Sequence, residues 1–236
     1  MLDIAKFTLK RFAFELRYPE NYLMWDRAGH LWSEVASDLG EIKIVTGQPT
    51  TTSFVCSPDT ELTVELTRTS FIYHGDQIDA AKDRANRFIR HVMANLEIRH
   101  LTRIGLRQFF EQTFDSQKKA DEEFSQYNVT SLRPGRFFGI ESNSIANAEV
   151  AGRISDGKNG VLARLKTETL KSQMDVPMAL KDYFQEQAVE KHVVILDVDY
   201  YLEALTPSNV FDARVWLDQA CRVVRRDVSS FLRGNG

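Results

Sequence analysis

Lys191-His-Val-Val-Ile-Leu-Asp-Val-Asp-Tyr-Tyr-Leu-Glu203 is the stretch whose reading decides the fold. Side chains alternate between the two faces of a strand. Val194, Leu196, Val198, Tyr200 and Leu202 therefore make one apolar face. Val193, Ile195, Asp197, Asp199 and Tyr201 make the other, which starts apolar and then carries two carboxylates about 7 Å apart. Such a pair either shares a cation or faces basic neighbours, and the choice separates chemistry from architecture.

The rest of the chain sets the context for that strand. Its 236 residues allow one domain, 1–236, or two packed halves, 1–127 and 128–236. With 43% hydrophobic and 27% charged residues, the composition is that of a globular protein with a substantial core. A net charge of -3 argues against attraction of the whole molecule to nucleic acid or an anionic membrane, but leaves a local basic face open. Cys56 and Cys221 make no disulfide framework, and no apolar run has signal-peptide or membrane-span length. The expectation is a cytoplasmic protein with no membrane partner.

Along the chain, Phe12–Tyr18 alternates as a strand, and Asn21 or Asp26 begins a helix to about Leu39. Trp25 and Trp32 share one side of that helix, which predicts that both pack in the core. Short strands follow at Glu41–Thr46 and Ser53–Cys56, then a long alternating run at Glu61–Tyr73. Asp76 or Asp79 caps a helix to about Ile98, with Ala81, Ala85, Phe88, Ile89, Val92 and Leu96 as its buried stripe. Its outer side carries Arg84, Arg87, Arg90 and His91. Arg99–Phe114 is a further strand, on which Arg103, Gly105 and Arg107 share a face and the glycine marks a bulge or a close approach of another group. Asp115–Tyr127 reads as a charged surface helix linking the halves, and Asn128–Gly135 as the most permissive break. Strands at Arg136–Glu141, Glu149–Ile154 and Gly160–Leu170 come next, the last two joined by the Asp156–Gly160 turn. One or two short helices are expected within Met178–Glu190. Ser208 or Asn209 caps a final helix whose Leu217, Cys221, Val224, Val228 and Phe231 face the sheet. Blocks of strands and helices point to an α+β fold: an extended antiparallel sheet with long helices packed on one face, with two related halves left open.

Two short motifs, Leu101-Thr-Arg-Ile-Gly-Leu-Arg-Gln-Phe-Phe110 and Ile195-Leu-Asp-Val-Asp-Tyr200 before a helix ending Ser230-Phe231-Leu232, resemble a sporadically distributed bacterial family of uncharacterised proteins of similar length. That resemblance implies a bacterial origin and a single repeated unit of architecture. Gln108-Phe109-Phe110 departs from the family, which usually shows an aromatic and Asn there.

Four functional readings follow. Asp197 and Asp199 can share Mg²⁺ with a substrate phosphate, as in a phosphoryl-transfer enzyme or nuclease. Neither a glycine-rich phosphate loop nor an acidic hairpin accompanies them. The favoured expectation is that they pair with Arg103 and Arg107 on neighbouring strands, which leaves a non-enzymatic interaction module acting through a protein partner or self-association, with no cofactor. A nucleotide or nucleic-acid binder would use Arg84, Arg87, Arg103 and Arg107, with Arg90 and His91 beside them. A small-molecule groove between the long helices and the sheet is also open. The five histidines are scattered, without metal-ligand spacing.

Overall fold

The computed structural model describes residues 4–40, 43–48, 50–57, 59–129, 135–137, 140–142, 147–172 and 189–233. The chain runs β1 (Thr8–Arg17), α1 (Leu23–Leu39), β2 (Lys43–Gln48), β3 (Thr51–Ser57), β4 (Thr60–Glu65), β5 (Arg68–Tyr73) and α2 (Ile78–Asn95). It continues through β6 (His100–Leu101), β7 (Arg103–Phe114), α3 (Gln117–Gln126), β8 (Gly135–Phe137), β9 (Ile140–Ser142) and β10 (Glu149–Ser155). β11 (Asn159–Ser172), β12 (Val189–Leu202), β13 (Thr206–Pro207) and α4 (Ala213–Arg233) complete it. Nine strands form one antiparallel sheet in the order β10-β11-β12-β7-β1-β5-β4-β3-β2. The fold is α+β, as the blocked pattern predicts.

The topology repeats about the central pair β1 and β7. From β1 the sheet steps to β5, β4 and β3, and from β7 to β12, β11 and β10. A helix follows each central strand, α1 or α3, and another follows each adjoining strand, α2 or α4.

Cross-strand partners show why the faces differ. Phe54, Leu62, Phe71, Phe14, Leu106 and Tyr200 make one continuous row across six strands. Trp32 of α1 packs on Phe54, and Trp216 of α4 stacks on Phe14 and sits beside Tyr200. Phe14, Leu62, Phe71 and Leu106 of this row are fully buried. One residue along, the row on the opposite face reads Ser53, Thr63, Ser70, Glu15, Gly105, Tyr201 and Gly160. This polar row is the face that carries Asp197 and Asp199.

Several expectations are corrected. Glu61–Tyr73 is a hairpin of β4 and β5, not one strand. Buried positions shift from even (Leu62, Val64) to odd (Thr69, Phe71, Tyr73) across the turn, and that change of phase is the mark of the reversal. The carboxylate of Asp212, rather than Ser208 or Asn209, accepts the backbone N–H of Val215 and caps α4. Ser208–Val210 forms a separate 3-10 turn. Gln77 precedes α2 with no side-chain cap, and Asp79 lies inside the first turn, where it pairs with Lys82. α3 is more than a surface linker. Its Ala120, Asp121 and Phe124 are buried, and Thr167 of β11 donates to Asp121 at 2.7 Å. Trp25 is 55% exposed and leans on Tyr22, so only Trp32 of the tryptophan pair belongs to the core. The expected helices at 178–188 and most of the expected break at 128–135 fall outside the described residues. None of the described helices is long and apolar enough to cross a membrane.

Candidate functional site

β12 is straddled by β11 and β7, and β7 by β12 and β1. The odd-numbered side chains of β1, β7 and β12 thus meet on the polar face. Asp199 lies directly opposite Arg107, Asp197 opposite Phe109, and Tyr201 opposite Gly105.

The ion pairs form along diagonals instead. Arg107 donates from Nε and Nη2 to the two carboxylate oxygens of Asp197, at 2.8 and 2.6 Å. Arg103 donates from Nη2 to Asp199 at 2.9 and 3.2 Å, and from Nη1 to Glu15 at 3.0 Å. Two aromatic rings account for the offset. The Arg107 guanidinium lies 4.6 Å from the Phe109 ring centre, which draws it toward Asp197. The Arg103 guanidinium lies 4.9 Å from the ring of Tyr201, which draws it toward Asp199. Gly105 makes room for this, as a β-carbon there would sit 2.6 Å from Arg103 Nη1. Gly160 does the same for Tyr201, whose ring would be 2.2 Å from a β-carbon at that position. The close approach expected at Gly105 is therefore made by the chain's own arginine.

Burial differs across the cluster. Asp197 is 6% exposed, whereas the Arg107 side chain that binds it is 45% exposed. Burial raises the carboxyl of Asp199 above its ordinary value, although Arg103 and Arg107 both act to lower it. The hydrogen bonds to Asp197 make Arg107 hold its proton more tightly.

Next to these pairs lies a hollow of about 540 Å³ that includes Arg11, Arg17, Arg68, Arg103 and Arg107, with Glu15, Glu65 and Asp199. Arg17 and Arg68 both reach Glu15, and Arg68 is held to Glu65 at 2.7 Å. Arg11 stands apart. Its guanidinium lies 5.2 Å from the Phe109 ring centre, its Nε is buried without a hydrogen-bond partner, and no carboxylate among the described residues lies within ion-pair distance. The sequence reading selected Arg103, Arg107, Asp197 and Asp199, and the structure brings all four together. It missed Arg11, Glu15, Phe109 and Tyr201. Tyr201 was on the correct face, but Arg11 and Glu15 join the cluster only through the β1–β7 register.

The basic side of α2 is a separate place. α2 lies on the Phe54 side of the sheet, where its Phe88 stacks on Trp32, away from Arg103 and Arg107. Arg87 donates to Asp38 at 2.9 Å, and His91 sits between Asp38 and Glu34 at 3.0 and 3.3 Å. Arg84 lies 3.7 Å from Asp59, while Arg90 is exposed. The hydrogen bond from His91 lowers the Asp38 carboxyl, and that from Asn95 lowers Glu34. Acids from α1 thus interleave with this basic stripe, and the combined Arg84/Arg87/Arg103/Arg107 surface is split between two faces. Among the described residues, no group of three or more His, Cys, Asp or Glu side chains is placed to hold a metal. No protein-family model matches this chain, and no curated protein matches it.

Proposed function

We propose that the protein is a non-enzymatic binding module that docks an acidic segment of a partner protein on the polar face of its sheet. The observation that carries this reading is the distribution of charge around Gly105. Asp197 and Asp199 each already accept hydrogen bonds from a guanidinium, so each carboxylate is matched by a fixed cation that would repel a Mg²⁺ ion. The guanidinium of Arg11 has no carboxylate in reach among the described residues, and Arg107 and Arg68 are each about half exposed. Thr51, Ser53, Thr63 and Ser70 add hydrogen-bonding hydroxyls to the hollow. Charge complementarity of this kind selects a partner and speeds encounter more than it adds affinity.

Fluorescence anisotropy with a labelled Asp/Glu-rich peptide tests the reading. Binding is expected, weakening as salt rises, and weakening by about tenfold or more in Arg11→Glu. No binding of the peptide, or binding of a single-stranded oligonucleotide in its place, overturns it.

A further inference from the structure

We infer that a second site, enclosed by α2, α4 and β7 on the helix-covered side of the sheet, binds a small amphipathic carboxylate. A hollow of about 380 Å³ lies there, with Lys82, Gln108, Phe110, Cys221, Arg222 and Arg225 in its wall. Gln108 is the unusual member. It sits in mid-strand on the apolar face and is only 2% exposed. Its amide nitrogen has one weak contact, to Cys221 Sγ at 3.9 Å. The amide faces the hollow, where its N–H can donate to an oxygen of a bound group.

The charges point to an anion. Lys82, 8% exposed, is bound by Asp79 at 2.8 Å and Asp218 at 2.5 Å. That cation is therefore matched by acids from two helices. Arg222 and Arg225 have no carboxylate within ion-pair distance among the described residues, so the wall carries an excess of positive charge. Phe110 supplies an apolar surface. A second hollow, of about 640 Å³, shares Phe110 and Arg225 and continues past Phe7 and Leu9. A carboxylate at Arg222 and Arg225, hydrogen-bonded near Gln108, would lay its apolar tail along that continuation. The site is built for binding rather than nucleophilic chemistry, since burial pushes the Cys221 thiol up to about 11.

Decanoate is the probe, followed by thermal shift and by titration calorimetry on the full chain. A saturable rise in Tm is expected, with decanol giving a clearly smaller one. Arg222→Ala/Arg225→Ala, both changes at exposed positions, is expected to fold normally and to bind decanoate about tenfold or more weakly. Arg11→Glu should leave decanoate binding unchanged, which separates this site from the polar face. The inference is overturned by an absence of any rise, by equal affinity in the double variant, or by equal responses to decanol and decanoate. Co-sedimentation with phosphatidylglycerol vesicles without a response to free decanoate overturns it as well, because the occupant would then be a membrane.

Discussion

The guanidinium of Arg103 lies folded across Gly105, in the space where any other residue would put its side chain. From there it reaches Glu15 on one neighbouring strand and Asp199 on the other. Gly105→Ala should push the guanidinium off this position and destabilise the fold by about 1–3 kcal/mol, the usual cost of inserting a group into a filled space. Urea unfolding of a double-mutant cycle checks the cause. In an Arg103→Ala background the same glycine change should be nearly neutral. An undiminished cost there would place the strain elsewhere.

Arg107 and Asp197 predict an asymmetry. Removing Arg107 leaves a carboxylate that is 6% exposed without a counter-charge, so Arg107→Ala should cost about 1–3 kcal/mol. Arg107→Met with Asp197→Leu, which removes the carboxylate together with the guanidinium, should recover most of that loss. Equilibrium denaturation of the single and double variants measures the difference.

Phe14 tests the apolar face. It is fully buried, lies at the centre of the cross-strand row, and has Trp216 stacked on it. Phe14→Ala should cost about 3–5 kcal/mol. It should also alter the tryptophan fluorescence of the folded state, since the indole of Trp216 loses the ring stacked on it and keeps only Tyr200 beside it. A loss under about 1 kcal/mol would mean that α4 does not depend on this contact.

Lys82 and Asp218 give a pH dependence with a defined sign. The hydrogen bond from Lys82 lowers the Asp218 carboxyl below its ordinary 3.8. Its contribution to stability is therefore present above that value and is lost as pH falls through the lower, folded-state value. Asp218→Asn should flatten part of the acid side of the stability curve and leave the neutral side parallel to the wild type. Asp199 has the opposite sign. Burial raises its carboxyl, so ionising it works against folding, and Asp199→Asn should gain stability relative to the wild type as pH rises through the carboxylate range. Chemical denaturation across that range distinguishes the two behaviours.

Much of this was legible in the sequence because it follows from period-2 alternation. The faces of β12, the glycine signal at 105 and the pairing of two acids with two arginines all depend on local spacing and charge. Other features were hidden because they depend on register. Glu15 belongs to the Arg103 site only because β1 pairs with β7, and no local pattern specifies that pairing. The β4–β5 hairpin is marked locally by the change in phase after Leu66. Trp25 and Trp32 share a helix side, yet burial depends on what lies opposite each ring, and only Trp32 has Phe54 beneath it.

The most direct test of the central claim, that the guanidiniums occupy the two acids of β12, is a Mn²⁺ titration followed by electron paramagnetic resonance. The account predicts that added protein leaves the free Mn²⁺ signal undiminished and that Mg²⁺ leaves Tm unchanged. Saturable loss of the Mn²⁺ signal that disappears in Asp197→Asn/Asp199→Asn would contradict it and return those carboxylates to a metal-dependent role.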